Sequence, residues 1–168
     1  GIEFEEFSSH LKKNKCSLRK VADIVPSGDS ASDYTYVKVV PNSTWNKGDG
    51  WVYTMVVNGR ICKIGMTEKT LQSRFSSYQA GTLKARKKGT CSVTNYYCSE
   101  FIRQCHNKGL SVELYAHRVP EQTVNVTVLG ASKPVSAKCA YVFEEALLSE
   151  HHKLKGELPP LCRNSSLT

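Results

Sequence analysis

The sequence predicts a mixed α/β (α+β) domain, a small sheet flanked by helices with additional structure at its N-terminus. Four observations carry that prediction. Residues 51–57, WVYTMVV, have the apolar and β-branched content of a strand. Asn58-Gly59 fits a tight hairpin turn, and RICKIG (60–65) returns antiparallel to it. Helical segments are predicted at 67–79, 93–109 and 139–155, each followed closely by a glycine, Gly81, Gly109 or Gly156. Finally, 168 residues suffice for one domain with a real core and fall short of two comfortable ones.

Taken along the chain, residues 1–20 alternate acidic and basic groups around Phe4, Phe7 and Leu11, which suits a short amphipathic helix. PSGDSASD (26–33) is a loop, YTYVKVV (34–40) a strand, and PNSTWNKGDG (41–50) a second loop rich in turn residues. After the hairpin, Thr67 is the expected cap of a helix running to about Gln79. LKARKKG (83–89) is a basic loop, and LSVELYAHRV (110–119) alternates as a strand does. Residues 120–138 form an extended excursion or a hairpin turning at Gly130, and Pro159-Pro160 holds the tail open. The order β-β-α-α-β-α spans residues 50–165 with an insertion at 120–138, preceded by an N-terminal extension (1–49) and followed by a short tail (166–168).

Composition narrows the partners. A net charge of +8 and a pI of about 9.1 favour a polyanion, nucleic acid before an anionic membrane. Hydrophobic content of 40% and a mean hydropathy of −0.37 are those of an ordinary soluble protein, and no apolar run is long enough to span a bilayer. Seven cysteines without a Cys-x-x-Cys pair point to a reducing, cytoplasmic setting. Cys91, Cys98 and Cys105, with His106 adjacent, suggest zinc on spacing alone, but seven residues are two helical turns. The simpler reading puts Cys98 and Cys105 on one buried helix face.

Two groups of residues could carry chemistry. In the last helix Phe143, Ala146, Leu147 and Leu154 form the expected apolar stripe, and Glu150 falls inside it. Burying a carboxylate is expensive unless it is paired or binds a metal. Glu144 and Glu145 are expected to point outward. In the hairpin and first helix, Tyr53 and Lys63 lie on neighbouring strands and can share a face, while Arg74 and Tyr78 stack at i and i+4. Taken singly these are a sheet tyrosine and solvated cations. Arg60, Lys69, Lys84, Arg86, Lys87 and Lys88 supply positive charge nearby for phosphate contacts. Asn42, Asn46, Lys47, Gln122, Asn125 and Lys133 lie in the segments available to read bases. His151 and His152 read as helix-surface residues.

Together these residues form a pattern that resembles the GIY-YIG nuclease family over roughly residues 50–165. WVYTMVV supplies the first-strand tyrosine, Tyr53, and KIG (63–65) stands where the Tyr-Ile-Gly is expected, so Lys63 replaces the second motif tyrosine and Gly65 keeps the motif glycine. LQSRFSSY supplies Arg74 and Tyr78, and EALLSEHHKLKGELPPLCRN resembles the closing helix of the family. That register makes Glu150 the metal carboxylate, with Glu145 as the alternative, and puts Asn164 at the structural asparagine position. The lysine and the spacing from Tyr53 through Lys63 to Arg74 are similar to a small type II restriction endonuclease branch.

The resemblance implies a small mixed, antiparallel sheet and a DNA endonuclease that depends on Mg²⁺ (or Mn²⁺), one ion per active site. It implies that Tyr53 acts as general base or positions the water. A nearby Lys63 cation would favour its phenolate, and Lys63 would relay the proton if its own pKa were depressed. Arg74 would bind the scissile phosphate through its planar fork, and Tyr78 would bind phosphate or hold Arg74. Double-stranded DNA is the expected partner and a homodimer the expected assembly, since a two-fold site asks for two active sites. A phage-type or mobile-element nuclease of low specificity, and a non-catalytic basic nucleic-acid-binding module, are the alternatives left open.

Overall fold

The computed structural model describes residues 2–28 and 33–162. Its elements are α1 (Phe4–Lys12), β1 (Arg19–Pro26), β2 (Tyr34–Lys38), α2 (Asn42–Trp45), β3 (Trp51–Val57), β4 (Arg60–Thr67) and α3 (Leu71–Gln79). There follow α4 (Leu83–Lys87), α5 (Val93–Asn107), β5 (Val112–Arg118), β6 (Gln122–Val128), β7 (Ala131–Ala137), α6 (Ala140–Lys155) and a 3-10 turn at Pro160–Cys162.

Five strands form one sheet in the order β2-β1-β5-β3-β4, every neighbour antiparallel. The N-terminal region is thus part of the sheet, since two of its strands extend it beyond β5. Strand β1 is poorly announced by its sequence because it contains Lys20 and Asp23. Their charges are matched within the sheet: Lys20 reaches both Asp23 and Glu113 of β5 at 2.8 Å.

Strand β3 is buried at every position, which accounts for its unbroken apolar run. Asn58 and Gly59 both have positive φ (48° and 77°), the conformation a two-residue hairpin turn demands. On one face Trp51, Tyr53, Met55 and Val57 pack under Leu71, Phe75 and Tyr78 of α3 and Cys98, Ile102 and Cys105 of α5. On the other, Val52, Val56, Ile61 and Ile64 pack against Phe4, Phe7 and Leu11 of α1 and Ala140, Leu147 and Leu148 of α6. Cys98 and Cys105 share the buried face of α5, and all seven cysteines are free thiols.

Strand β4 lies at the edge of the sheet, and both termini of the described chain are laid along it. At its start Ile61 N–H donates to the Ile2 carbonyl (3.0 Å) and Phe4 N–H to the Gly59 carbonyl (2.7 Å). Further on, Ile64 N–H donates to Cys162 Sγ (3.3 Å), and the Cys162 thiol donates back to the Ile64 carbonyl (3.2 Å).

Several local expectations are corrected. Thr67 is the last residue of β4; the cap of α3 is Thr70, whose hydroxyl accepts from Ser73 N–H at 3.0 Å. The basic segment after α3 is the short helix α4, capped by Thr82, and not a loop. Residues 122–137 form the hairpin expected to turn at Gly130, a two-stranded ribbon that constitutes a sheet of its own. His151 is fully buried rather than on the surface: Nδ1 shares a hydrogen bond with the Glu157 carbonyl (2.8 Å), and Nε2 accepts from Ile2 N–H (3.4 Å). No helix among the described residues is long and apolar enough to cross a membrane.

Candidate active site

The site begins at the pairing of Tyr53 on β3 with Gly65 on β4. A Cβ at position 65 would stand 2.4 Å from both Cζ and the oxygen of Tyr53, so the phenol lies across the glycine in the space a side chain would take. Phe75 supports the ring edge-on, with centroids 5.0 Å apart. The Tyr53 hydroxyl thereby meets α3. It accepts from Arg74 Nε at 2.9 Å and shares a 2.5 Å hydrogen bond with the Tyr78 hydroxyl. Arg74 Nη2 donates to that same Tyr78 oxygen at 3.0 Å, and its guanidinium stacks on the Tyr78 ring at 4.7 Å. The i, i+4 spacing therefore builds a clamp in which Arg74 and Tyr78 hold one another and hold Tyr53.

The same hydrogen bonds leave one end of the guanidinium open. Arg74 Nη1 has no hydrogen-bond partner among the described residues. The cation itself is held well above the ordinary arginine range: burial opposes the charge, but the two tyrosines outweigh it. Burial pushes the Tyr78 hydroxyl far above its usual value.

Lys63 stands two cross-strand pairs from Gly65, opposite Met55 and on the Tyr53 face. It is buried (7% exposed) and makes no hydrogen bond or ion pair among the described residues. Burial opposes its charge, yet Tyr53 and the Cys98 and Cys162 thiols together raise its pKa. A depressed pKa, which proton relay by this lysine requires, is therefore not what its surroundings produce. Its ammonium meets an open groove of about 580 Å³ between Thr94, Tyr97 and Phe101 of α5 and the turn at Pro160–Cys162.

The carboxylate that reaches this cluster is Glu144. Lys63 and Arg74 both act on it electrostatically; burial raises its pKa against their pull, with Glu145 adding to the rise. It too has no hydrogen-bond or ion-pair partner among the described residues. Glu150 is not brought here. It pairs with His10 of α1 (2.9 Å) and Lys153 (3.5 Å), and the His10 hydrogen bond lowers its pKa. Residues 144 and 150 differ by about 9 Å along the helix and roughly 120° around it. Glu145 accepts from the Tyr141 hydroxyl at 2.7 Å on the exposed side.

The physical reason lies in the phase of α6. Its buried face is Ala140, Leu147, Leu148 and His151, with half-buried Glu144 in line between them. Of the expected stripe only Leu147 is buried: Phe143 is half-buried against His117, while Ala146 and Leu154 are exposed. The sign in the sequence was the i, i+4, i+7, i+8, i+11 series, hidden because its last member is a histidine.

Lys84, Arg86 and Lys87 are exposed on α4, with Lys88 just after it, and Lys69 is exposed immediately before the cap of α3. Arg60 belongs elsewhere, beside Glu3 (3.9 Å) at the hairpin end of β4. That is five residues, or roughly 16 Å of strand, from Gly65. Asn42 accepts from Lys38 (3.2 Å), and Asn46 donates to the Asn42 carbonyl (3.0 Å), so both serve the α2 turn. Asn164 lies outside the described residues.

No group of three or more His, Cys, Asp or Glu side chains converges among the described residues. A lone, partnerless carboxylate suits a hard cation that keeps most of its positions for water and substrate oxygens, as Mg²⁺ does.

No protein-family model matches the chain, and no curated protein matches it. Its fold is similar to that of restriction endonuclease HPY188I, solved in complex with product DNA. The identity there is 23% and the TM-score 0.58, over 98% of this chain and 87% of that one. It is also similar to a mutant of bacteriophage T4 EndoII, at 20% identity and a TM-score of 0.62, over 95% of this chain and 98% of that one.

Proposed function

We propose that the protein is a divalent-metal-dependent DNA endonuclease of the GIY-YIG type, a homodimer that cuts double-stranded DNA at a specific site as the small type II restriction enzymes do. The observation that carries this reading is the convergence of three charged groups without partners: Arg74 Nη1, the Lys63 ammonium and the Glu144 carboxylate. Unpaired charge held beside buried tyrosines is costly to a fold and is what a phosphodiester and its counter-ion would satisfy. The fold likeness to two nucleases, one of them holding product DNA, supports the same reading. Seven free thiols fit a reducing, cytoplasmic setting.

In this mechanism Arg74 takes the scissile phosphate through Nη1 while Nε and Nη2 remain engaged with the tyrosines. Tyr53 orients the attacking water and accepts its proton, and Tyr78 holds Tyr53 and Arg74 in register. Lys63, kept charged by its surroundings, stabilises the phenolate and the negative charge growing on phosphorus. Glu144 would hold a divalent cation, which supplies charge neutralisation at the departing 3′ oxygen. Lys69, Lys84, Arg86, Lys87 and Lys88 contact flanking phosphates and make binding sensitive to salt.

The test is digestion of a long sequenced DNA with Mg²⁺ or with EDTA, using the wild type and two single variants. Discrete bands are expected only with metal. Glu144→Gln is expected to cut at least ~100-fold more slowly while still shifting DNA on a gel, the order seen when a group stabilising the transition state is lost. Glu150→Gln is expected to cut normally. The opposite result for the two variants would overturn the assignment of the carboxylate, and intact DNA with metal would overturn the enzyme.

A further inference from the structure

We infer that the valine face of the β6/β7 ribbon is a contact surface for a second copy of this chain. Thirteen of its fourteen strand residues are exposed and the last is half-buried. The register divides the ribbon into two unlike faces. Val124 opposite Val135, Val126 opposite Lys133 and Val128 opposite Ala131 form one; Thr123 opposite Ser136, Asn125 opposite Pro134 and Thr127 opposite Ser132 form the other. The four valines are 41–52% exposed and Leu129 at the tip is fully exposed. A lone two-stranded ribbon is marginal in water, and a row of β-branched residues on one of its faces asks for a cover.

Charge identifies the cover. The chain carries 23 Lys and Arg, yet Lys133 is the single charged residue between 122 and 137. A duplex or an anionic membrane is gripped by rows of cations, which this face lacks. Two copies of a +8 protein repel one another except where charge is sparse, and the ribbon is such a place. A two-fold axis would lay the valine face on its own copy about 10 Å away, with the Lys133 ammonium reaching past the edge to water. The surface is smaller than the ~800 Å² per partner of a standard interface, so association is to be sought at micromolar concentration. The inference rests on the homodimer of the reading above and names its contact surface, while the catalytic groups of that reading play no part in it.

The experiment is light scattering and sedimentation of the whole chain without DNA, from low to high micromolar concentration. The wild type is expected to move from 18.7 kDa towards twice that mass. The triple variant Val124→Thr, Val126→Thr, Val135→Thr, which keeps β-branching and size, is expected to stay at 18.7 kDa, while Asn125→Ala on the opposite face dimerises as the wild type does. Hydrogen exchange of wild-type amides in 122–137 is expected to slow as concentration rises, a readout that does not depend on any variant folding. A wild type that stays monomeric throughout overturns the inference, as does a dimer indifferent to the three threonines. Protection that appears only on adding DNA overturns it in favour of a nucleic-acid contact. None of these outcomes touches the metal-dependent cutting test.

Discussion

At Gly65 the volume a side chain would occupy is filled by the Tyr53 phenol, and the rest of the candidate site depends on that placement. Gly65→Ala is expected to force the phenol away from Arg74 and Tyr78. The cost in stability should be about 1–3 kcal/mol, the range for overpacking, with cleavage at least ~10-fold slower. Denaturant melts and cleavage rates of the variant check both; normal cutting would mean that Tyr53 need not sit where it does. Lys63 shows how surroundings choose a role for a residue. A buried lysine by itself tends to lose its proton, but here the tyrosine and two thiols reverse that tendency. In the proposed mechanism it is a fixed charge, and the role of proton acceptor is assigned to Tyr53.

At the scale of the element, each helix delivers function through its phase and its caps. Thr70 starts α3 and so fixes where Arg74 and Tyr78 emerge. Thr70→Ala is expected to cost about 1 kcal/mol and to lower the melting temperature by roughly 2–4 °C. Cleavage should fall less than in Arg74→Ala, and thermal melts beside rate assays test the pair. The hairpin β3/β4 and the order of the helices were legible in the sequence because Asn58-Gly59, Gly109 and Gly156 are local signals that tertiary packing has no cause to overrule. The pairing of Tyr53, Lys63, Arg74 and Tyr78 was legible for the same reason, being a matter of strand register and one helical turn. The phase of α6 was not. Val142, Phe143, Ala146 and Leu154 outnumber the apolar residues that are buried, and the packing of this helix on β3 and β4 is settled by Leu147, Leu148 and a histidine. A carboxylate among buried residues does occur on this helix, as Glu144 in line with Ala140, Leu147, Leu148 and His151, on a stripe rotated from the one that holds Glu150. Strand β1 was hidden because cross-strand partners for its charges lie some ninety residues away in sequence.

For the whole molecule, the buried His151 couples the Ile2 and Glu157 segments to acidity. Its pKa is lowered, chiefly by burial, so below about 6.5 the unfolded chain takes up a proton that the folded one resists. Stability is fully present above that pH and is lost as pH falls towards the folded value. Melting temperatures followed from pH 7 to pH 5 are expected to drop in the wild type and to vary less in His151→Gln, although that variant starts lower. Glu150, whose pKa is also lowered, adds a second loss further into acid, below its ordinary value of 4.5. The two windows are separable in one titration. The arrangement of the termini along β4 has a further consequence. An exposed edge strand is a template on which another chain can add itself, and β4 is apolar and buried on both faces, the kind of strand most prone to it. Residues 2–4 seal its first turn and a single thiol seals it at Ile64, with Lys63 between the two seals. The backbone that presents the candidate catalytic lysine is also an edge open to misassembly, and it is guarded by residues 2–4 and by Cys162.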